Sequence, residues 1–111
     1  MKCFVFGKVT FVRQVASVNG ALRLYLSVHD GVKTSDFVIF EYDKNFQTNE
    51  MTINPLYKSI VENGIKEGCY VNIIGYCYYS DRSKSIVFKP YAIIPVKQSD
   101  LERCSALGLY V

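Results

Sequence analysis

The most constraining feature of the sequence is an uncharged stretch of alternating small and aromatic residues at positions 68–79. It holds four tyrosines and two glycines, and no Asp, Glu, Lys or Arg. A strand directs alternate side chains to opposite faces of its sheet. The predicted core face consists of Val71, Ile73, Gly75 and Cys77, and the opposite face of Tyr70, Asn72, Ile74, Tyr76 and Tyr78. Because large exposed apolar patches usually mark interaction sites, we expect the ring-bearing face to meet a partner.

Length and composition predict one ordered globular domain, since the chain has 111 residues of which 50% are hydrophobic. No apolar run approaches the roughly 20 residues needed to cross a bilayer. The apolar start is interrupted by Lys8, and no small-residue cleavage site follows, so no signal peptide is expected. The four cysteines form no Cys-x-x-Cys pair and are accompanied by one histidine. That pattern favours free thiols in a reducing compartment, so we predict a cytoplasmic protein without metal or cofactor.

The net charge of +3 is unevenly distributed along the chain. Residues 1–29 contain no acid, and their basic residues are Lys2, Lys8, Arg13 and Arg23. Residues 68–98 contain one acid, Asp81, and their basic residues are Arg82, Lys84, Lys89 and Lys97. Acids predominate in residues 30–67. A sheet could gather the two basic segments into one face suited to a polyanion, the alternative being a mildly basic solvated surface.

Hydrophobic periodicity predicts five strands and one helix. The strands are expected at residues 3–12, 21–29, 35–42, 68–79 and 85–94, with Leu22, Leu24, Leu26 and Val28 pointing inward on the second. Asn19-Gly20 predicts a hairpin turn. Gly7 predicts a bulge, a tight bend or a barrel corner in its strand, and Pro90 predicts an edge strand or a bulge. Residues 43–53 are expected to form a loop. The helix should begin at the Asn54 cap with Pro55 in its first turn.

This order of elements predicts an all-β fold, a five-stranded OB-fold Greek-key barrel with one short helix between strands 3 and 4. An SH3-like barrel or another small α+β sheet is the alternative, but neither usually places a helix at that point. We expect the nucleic-acid-binding domain to span residues 1–96. Residues 97–111 would form a short C-terminal extension, which could be helical from Ser99 and which we expect to pack on the barrel.

Four segments carry a resemblance to a known family. Residues 4–9 read Phe-Val-Phe-Gly-Lys-Val, residues 22–28 read Leu-Arg-Leu-Tyr-Leu-Ser-Val, and residues 35–38 read Ser-Asp-Phe-Val. Residues 65–75 read Ile-Lys-Glu-Gly-Cys-Tyr-Val-Asn-Ile-Ile-Gly, which is similar to Leu-x-Lys-Gly-x-x-Val-x-Val-x-Gly. Over residues 3–95 the chain thus resembles bacterial and phage single-stranded DNA-binding proteins. The resemblance implies sequence-independent binding of single-stranded DNA during replication or recombination, and assembly into a homodimer or homotetramer.

The chain departs from that family in ways that shape the expectation. It has no tryptophan, and the third strand is not followed by the family's aromatic-Gly-Lys segment. The long Gly/Pro/Gln tail with an acidic tip, which in the family recruits replication and repair enzymes, is also missing from this sequence. These departures would fit a compact member of the family encoded by a phage or mobile element. Replication or recombination proteins are possible partners, but the sequence has no tail that would indicate them.

Single-strand binding needs a basic groove for phosphates and flat rings that stack on bases. The predicted stacking residues are Tyr25, Phe37, Tyr70, Tyr76 and Tyr78, with Asn72 beside them on the same face. The predicted phosphate contacts are Lys8, Arg13, Arg23, Arg82, Lys84 and Lys89. Among the rings, Phe37 is supported by its position in the resemblance, as is Lys8 among the basic residues.

Three alternatives stand beside this interpretation. Any single tyrosine of the set is equally suited to a subunit interface, and any single basic residue to a solvated surface. An RNA-binding or protein-interaction module of the same fold is the principal rival, because fold does not determine function. An enzyme is disfavoured because His29 and Asp30 are accompanied by no nucleophile or metal cluster, and no phosphate-cradling glycine loop is present.

Overall fold

The computed structural model describes residues 1–45 and 47–106. Its elements in chain order are β1 (Lys2–Ala16), β2 (Leu22–His29), β3 (Thr34–Phe40), β4 (Tyr42–Lys44), β5 (Met51–Ile53), α1 (Pro55–Glu62), β6 (Tyr70–Ser80), β7 (Ser85–Pro95) and α2 (Gln98–Ala106). The five predicted strands correspond to β1, β2, β3, β6 and β7. No helix of the described residues is long and apolar enough to cross a membrane.

Five strands form one antiparallel sheet in the order β3-β2-β1-β6-β7. The long strand β1 lies at the centre of the sheet and pairs with two strands along its length. Residues 2–8 pair with β6, and residues 8–16 pair with β2. Lys8 belongs to both ladders, opposite His29 on one side and Tyr70 on the other. The predicted all-β class is therefore confirmed, whereas the closed OB-fold barrel stays a prediction.

Strand β1 bends where it changes partner. Its pairing with β2 shifts between Val9 and Phe11, so that Thr10 has no residue opposite it. Gly7 lies just before this bulge and is buried. A Cβ atom at Gly7 would lie 2.3 Å from the carbonyl oxygen of His29, so no larger residue fits without moving the backbone. The predicted bulge in this strand is confirmed, and close backbone approach explains the glycine.

A matching irregularity lies on the other side of the sheet. Between β6 and β7 the register shifts after Ile74, which leaves Tyr91 without a residue opposite it. Gly75 faces this bulge, and a Cβ atom there would lie 2.3 Å from the carbonyl oxygen of Lys89. The bulge follows Pro90 in a strand at the edge of the sheet, as the proline predicted.

The helix begins as predicted but follows a hairpin that the sequence did not indicate. The side chain of Asn54 accepts a hydrogen bond from the backbone N–H of Leu56 at 2.9 Å, and Pro55 opens the helix. Before it, β4 and β5 pair as a separate two-stranded sheet. The prediction of a loop over residues 43–53 is corrected, because β4 and β5 pair there and the backbone N–H of Asn45 donates to the carbonyl oxygen of Glu50 at 2.8 Å. The helix accordingly follows the fifth strand of the chain rather than the third.

The hydrophobic core lies on the inner side of the sheet and under α1. Leu24, Leu26 and Val28 of β2 are at most 1% exposed, as their alternation predicted. Val71 and Ile73 confirm the predicted core face of β6. The inner side of α1 adds Leu56, Tyr57 and Ile60, and the helix packs against both β3 and β7. It therefore covers one end of the space between the two edge strands.

Candidate nucleic-acid interface

The outer side of β1, β2 and β3 brings arginines and apolar side chains together. Because alternate residues of β2 are buried, the residues between them point away from the core. The paired residues of β1 and β3 share that side. We call this surface the β1–β3 face, and its central residues are Phe11, Arg13, Arg23, Tyr25, Val38 and Phe40.

Two cross-strand rows organise the β1–β3 face. In one row, Tyr25 lies between Arg13 of β1 and Val38 of β3. In the next, Arg23 lies opposite Phe40. Directly opposed residues of antiparallel strands have Cβ atoms about 4.5–5.5 Å apart, so each arginine has an apolar side chain as its neighbour. Rings beside guanidinium groups are the arrangement that single-stranded nucleic acid requires.

The bulge at Thr10 is what places Arg13 on this face. In an unbroken strand Arg13 would have the same orientation as Val5 and Val9, which point inward. The extra residue reverses the alternation, so that Phe11 and Arg13 point outward. Three of the predicted binding residues, Arg13, Arg23 and Tyr25, are thereby brought together.

Three exposed residues of this face were not predicted as binding residues. Phe11, Val38 and Phe40 are 42%, 50% and 54% exposed. The alternation of β3 did group Val38 with Phe40, but it did not show which side of that strand is the core. Pairing with β2 decides the matter, because Ile39 lies opposite the buried Leu24.

Phe37 lies on the inner side of β3. It is half-buried and packs against the core, and its ring meets Phe88 edge to face, with centroids 6.1 Å apart. This ring already has an aromatic partner within the protein. Phe37 is therefore placed apart from the β1–β3 face, although it was predicted as a stacking residue.

The outer side of β6 forms a second surface, continuous with the first half of β1 and with β7. We call it the β6 face, and its main residues are Phe4, Phe6, Tyr70, Asn72, Ile74, Tyr76, Tyr91 and Ile94. Phe6 stacks on Tyr70 with centroids 6.1 Å apart, and Tyr76 stacks on Tyr91 at 5.0 Å. The predicted Tyr70, Asn72 and Tyr76 thus lie together on a surface that is more apolar than the β1–β3 face.

Asn72 carries an unusual feature of the β6 face. It lies between Phe6 of β1 and Ile94 of β7. Its side-chain oxygen Oδ1 is buried and accepts no hydrogen bond from any described residue. An unsatisfied buried acceptor typically costs about 1–3 kcal/mol of stability.

The β6–β7 hairpin carries the remaining predicted residues. Tyr78 is 51% exposed near its tip, and Arg82 and Lys84 lie in the turn. Lys89 is exposed opposite Tyr76. These residues form a basic and aromatic extension of the β6 face rather than of the β1–β3 face.

Lys8 lies at the junction of the two faces. It borders a small cleft of about 140 Å³, together with Phe6, His29, Asp30 and Tyr70. The backbone N–H groups of Lys33 and Val32 donate to the carboxylate of Asp30 and hold its pKa below the usual 3.8. Asp30 therefore stabilises the β2–β3 turn as a charged group, and His29 contacts the Thr34 hydroxyl at 3.1 Å.

A larger cleft of about 360 Å³ lies at the end of the β1–β3 face nearest the β1–β2 turn, beside Arg23 and Phe40. Its remaining walls come from the β1–β2 turn, from the start of β2 and from the β3–β5 region. The Nε atom of Arg23 is buried and donates no hydrogen bond to any described residue.

Two thiols lie side by side on the inner face of the sheet, one on β1 and one on β6. Cys3 is opposite Gly75, two residues from Cys77 on β6. A hydrogen bond with the Cys3 thiol raises the pKa of Cys77, and burial raises it further by a smaller amount. Within residues 1–45 and 47–106 there is no group of three His, Cys, Asp or Glu side chains that could hold a metal ion.

Comparison with known sequences adds no assignment. No protein-family description matches the chain. No curated protein matches it either.

Proposed function

We propose that this protein binds single-stranded DNA, with little sequence preference, through the β1–β3 face. The observation that carries the proposal is the alternation of guanidinium groups and rings across three adjacent strands, with Arg13 beside Tyr25 and Arg23 beside Phe40. Stacking on a protein ring is worth about 1–3 kcal/mol per base and tolerates any base. Arg13 would contact the phosphates between stacked bases, and Lys8 would extend the basic track toward the β6–β7 hairpin.

The strand arrangement supports an OB-type barrel as the scaffold for this activity. The meander β1-β2-β3, the return of β6 to the first half of β1, and α1 across the gap between β3 and β7 all fit that plan. Contact between Phe37 and Phe88 would close the barrel through side chains. In this scaffold the face of the second and third strands commonly binds oligonucleotides.

We further propose that the protein forms a homodimer or homotetramer through the β6 face. That face contains exposed apolar side chains, and Phe4, Tyr76 and Ile94 are each at least 50% exposed. Assigning the β6 face to self-association leaves the β1–β3 face free for nucleic acid. The protein would act in the cytoplasm during replication or recombination, without catalysing a reaction.

The proposal is tested by titrating a fluorescently labelled dT oligonucleotide with the protein at low salt. We expect saturable binding that weakens as salt is raised, because phosphate contacts release counterions. Matched duplex DNA and an rU oligonucleotide serve as controls. Absence of saturable dT binding at low salt would reject the proposal. Tighter binding to rU than to dT would instead assign the same face to RNA.

A further inference from the structure

We propose that the cleft beside Arg23 is a subsite for one guanine base of the bound strand. This inference rests on the proposed function and adds to it one position of base preference within an otherwise sequence-tolerant site. It begins from the Nε–H of Arg23, which is buried and has no acceptor within the described residues. A buried donor without an acceptor is costly. Because Arg23 lines the cleft, turning its guanidinium group toward an acceptor bound there would remove that cost.

The polar groups of the β1–β2 turn at the mouth of the cleft already have partners. The hydroxyl of Ser17 donates to the carbonyl oxygen of Ala21 at 2.9 Å and also contacts Asn19. The side-chain oxygen of Asn19 accepts from the backbone N–H of Ala21 at 3.2 Å. These bonds fix the β1–β2 turn as a wall of the cleft. Arg23 and the carboxylate of Glu41 are left as charged groups of the lining with unused capacity to bind a ligand.

The size and lining of the cleft suit a base better than a phosphate. Its volume of about 360 Å³ falls in the range of small-molecule sites. Phe40, Tyr42 and Met51 supply apolar and aromatic surface, on which a flat ring can stack. Glu41 also lines the cleft, and its negative charge would oppose a phosphate there.

Among the bases, guanine matches this set of groups most completely. Arginine forms two hydrogen bonds with the O6 and N7 acceptors of guanine, which is the commonest specific contact between proteins and bases. Guanine also offers N1–H and N2–H donors that a carboxylate such as Glu41 could accept. Thymine has no N7 acceptor, and adenine presents an amino donor where guanine has O6.

The experiment compares labelled dT oligonucleotides that are identical except for one central position, occupied by dT, dG or 7-deaza-dG. We expect the wild-type protein to bind the dG oligonucleotide about five- to tenfold more tightly than the dT one, within the discrimination typical of one bidentate contact. Replacing N7 by carbon should remove most of this gain, because the Arg23 fork loses one acceptor.

Two variants with equal charge locate the effect. Arg23→Lys should weaken binding to both oligonucleotides and reduce the dG-to-dT affinity ratio to about one, since lysine lacks the bidentate fork. Arg13→Lys should also weaken binding but keep the ratio. Circular dichroism would verify that both variants fold.

The outcomes separate this inference from the proposed function. If the wild type binds dT but shows no preference for dG, the guanine subsite is rejected while DNA binding stands. If the preference persists in Arg23→Lys, the subsite lies elsewhere and the inference fails. If neither oligonucleotide binds saturably, the proposed function itself fails.

Discussion

Phe37 and Phe88 meet edge to face, with ring centroids 6.1 Å apart and ring planes at 68°. They belong to β3 and β7, the two edges of the five-stranded sheet, which no hydrogen-bonded ladder joins within the described residues. The two edges are therefore held near each other by side chains and by α1. In a fully paired barrel a ladder of hydrogen bonds would join these two strands. Here the contact between the two rings joins them instead.

This contact predicts that Phe37→Ala lowers stability. We expect a loss of about 2 kcal/mol in the free energy of unfolding, below the 3–5 kcal/mol typical of fully buried phenylalanines because Phe37 is half-buried. A double-mutant cycle with Phe88→Ala should give a coupling energy of about 0.5–1.5 kcal/mol. Urea unfolding followed by fluorescence measures both. Additive losses would show that the two rings do not stabilise each other.

Gly75→Ala should also destabilise the protein, through a different mechanism. The added Cβ would lie 2.3 Å from the carbonyl oxygen of Lys89, so the β6–β7 ladder must shift. We expect a loss of about 1–3 kcal/mol, as for other overpacked sites. Ser85→Ala, at an exposed strand end of the same hairpin, is the control and should change stability by less than about 0.5 kcal/mol. Equal thermal midpoints for both variants would contradict the close backbone approach.

Tyr25→Ala should weaken binding to dT oligonucleotides by about fivefold or more, which is the lower end of the stacking contribution of one ring. Tyr25→Phe keeps the flat face and should retain most of the affinity. The pair separates stacking from any role of the hydroxyl group. Fluorescence anisotropy at fixed salt gives both affinities, and equal weakening in the two variants would rule out stacking at this position.

Self-association should depend on the β6 face. Phe4 is 69% exposed and lies opposite Ile74, so Phe4→Asp would place a charge in the proposed interface without disturbing the core. We expect the wild type to sediment as a dimer or larger at micromolar concentration, and Phe4→Asp to shift the distribution to monomer. Val32→Asp is the control, since Val32 is 91% exposed in the β2–β3 turn. A monomeric wild type would contradict the proposed interface.

The strands of the main sheet and the start of α1 were predictable because their signals are local. Alternation along β2 gives its buried face directly, and Asn54 followed by Pro55 is a local cap. The β4–β5 hairpin was not predictable, since each of its strands has only three exposed residues, too few for an alternation of polarity to be recognised. This hairpin is held by backbone hydrogen bonds, and the sequence of side chains predicts such pairing only weakly.

The candidate site was predictable in composition but not in arrangement. The sequence identifies Arg23 and Tyr25 as outward residues of β2, because apolar and polar or aromatic residues alternate along that strand. Placing Arg13 beside Tyr25 requires the bulge at Thr10, and adding Phe40 requires the register of β3. Both depend on contacts between residues far apart in the chain. The division of rings between the β1–β3 face and the β6 face likewise follows from pairing.

The Cys3–Cys77 pair predicts how the thiols react. A hydrogen bond with Cys3 and partial burial raise the pKa of Cys77, so less of it is thiolate at neutral pH. Because the thiolate is the nucleophile, Cys77 should be alkylated slowly by iodoacetamide at pH 7.5. Cys3→Ala removes the hydrogen bond, lowers the pKa of Cys77 and should raise its alkylation rate at least about twofold. Mass spectrometry of the Cys77 peptide measures the rate, with the Cys69 peptide as an internal reference. If Cys77 is alkylated at an unchanged or slower rate in Cys3→Ala, the hydrogen bond with Cys3 does not raise the pKa of the Cys77 thiol.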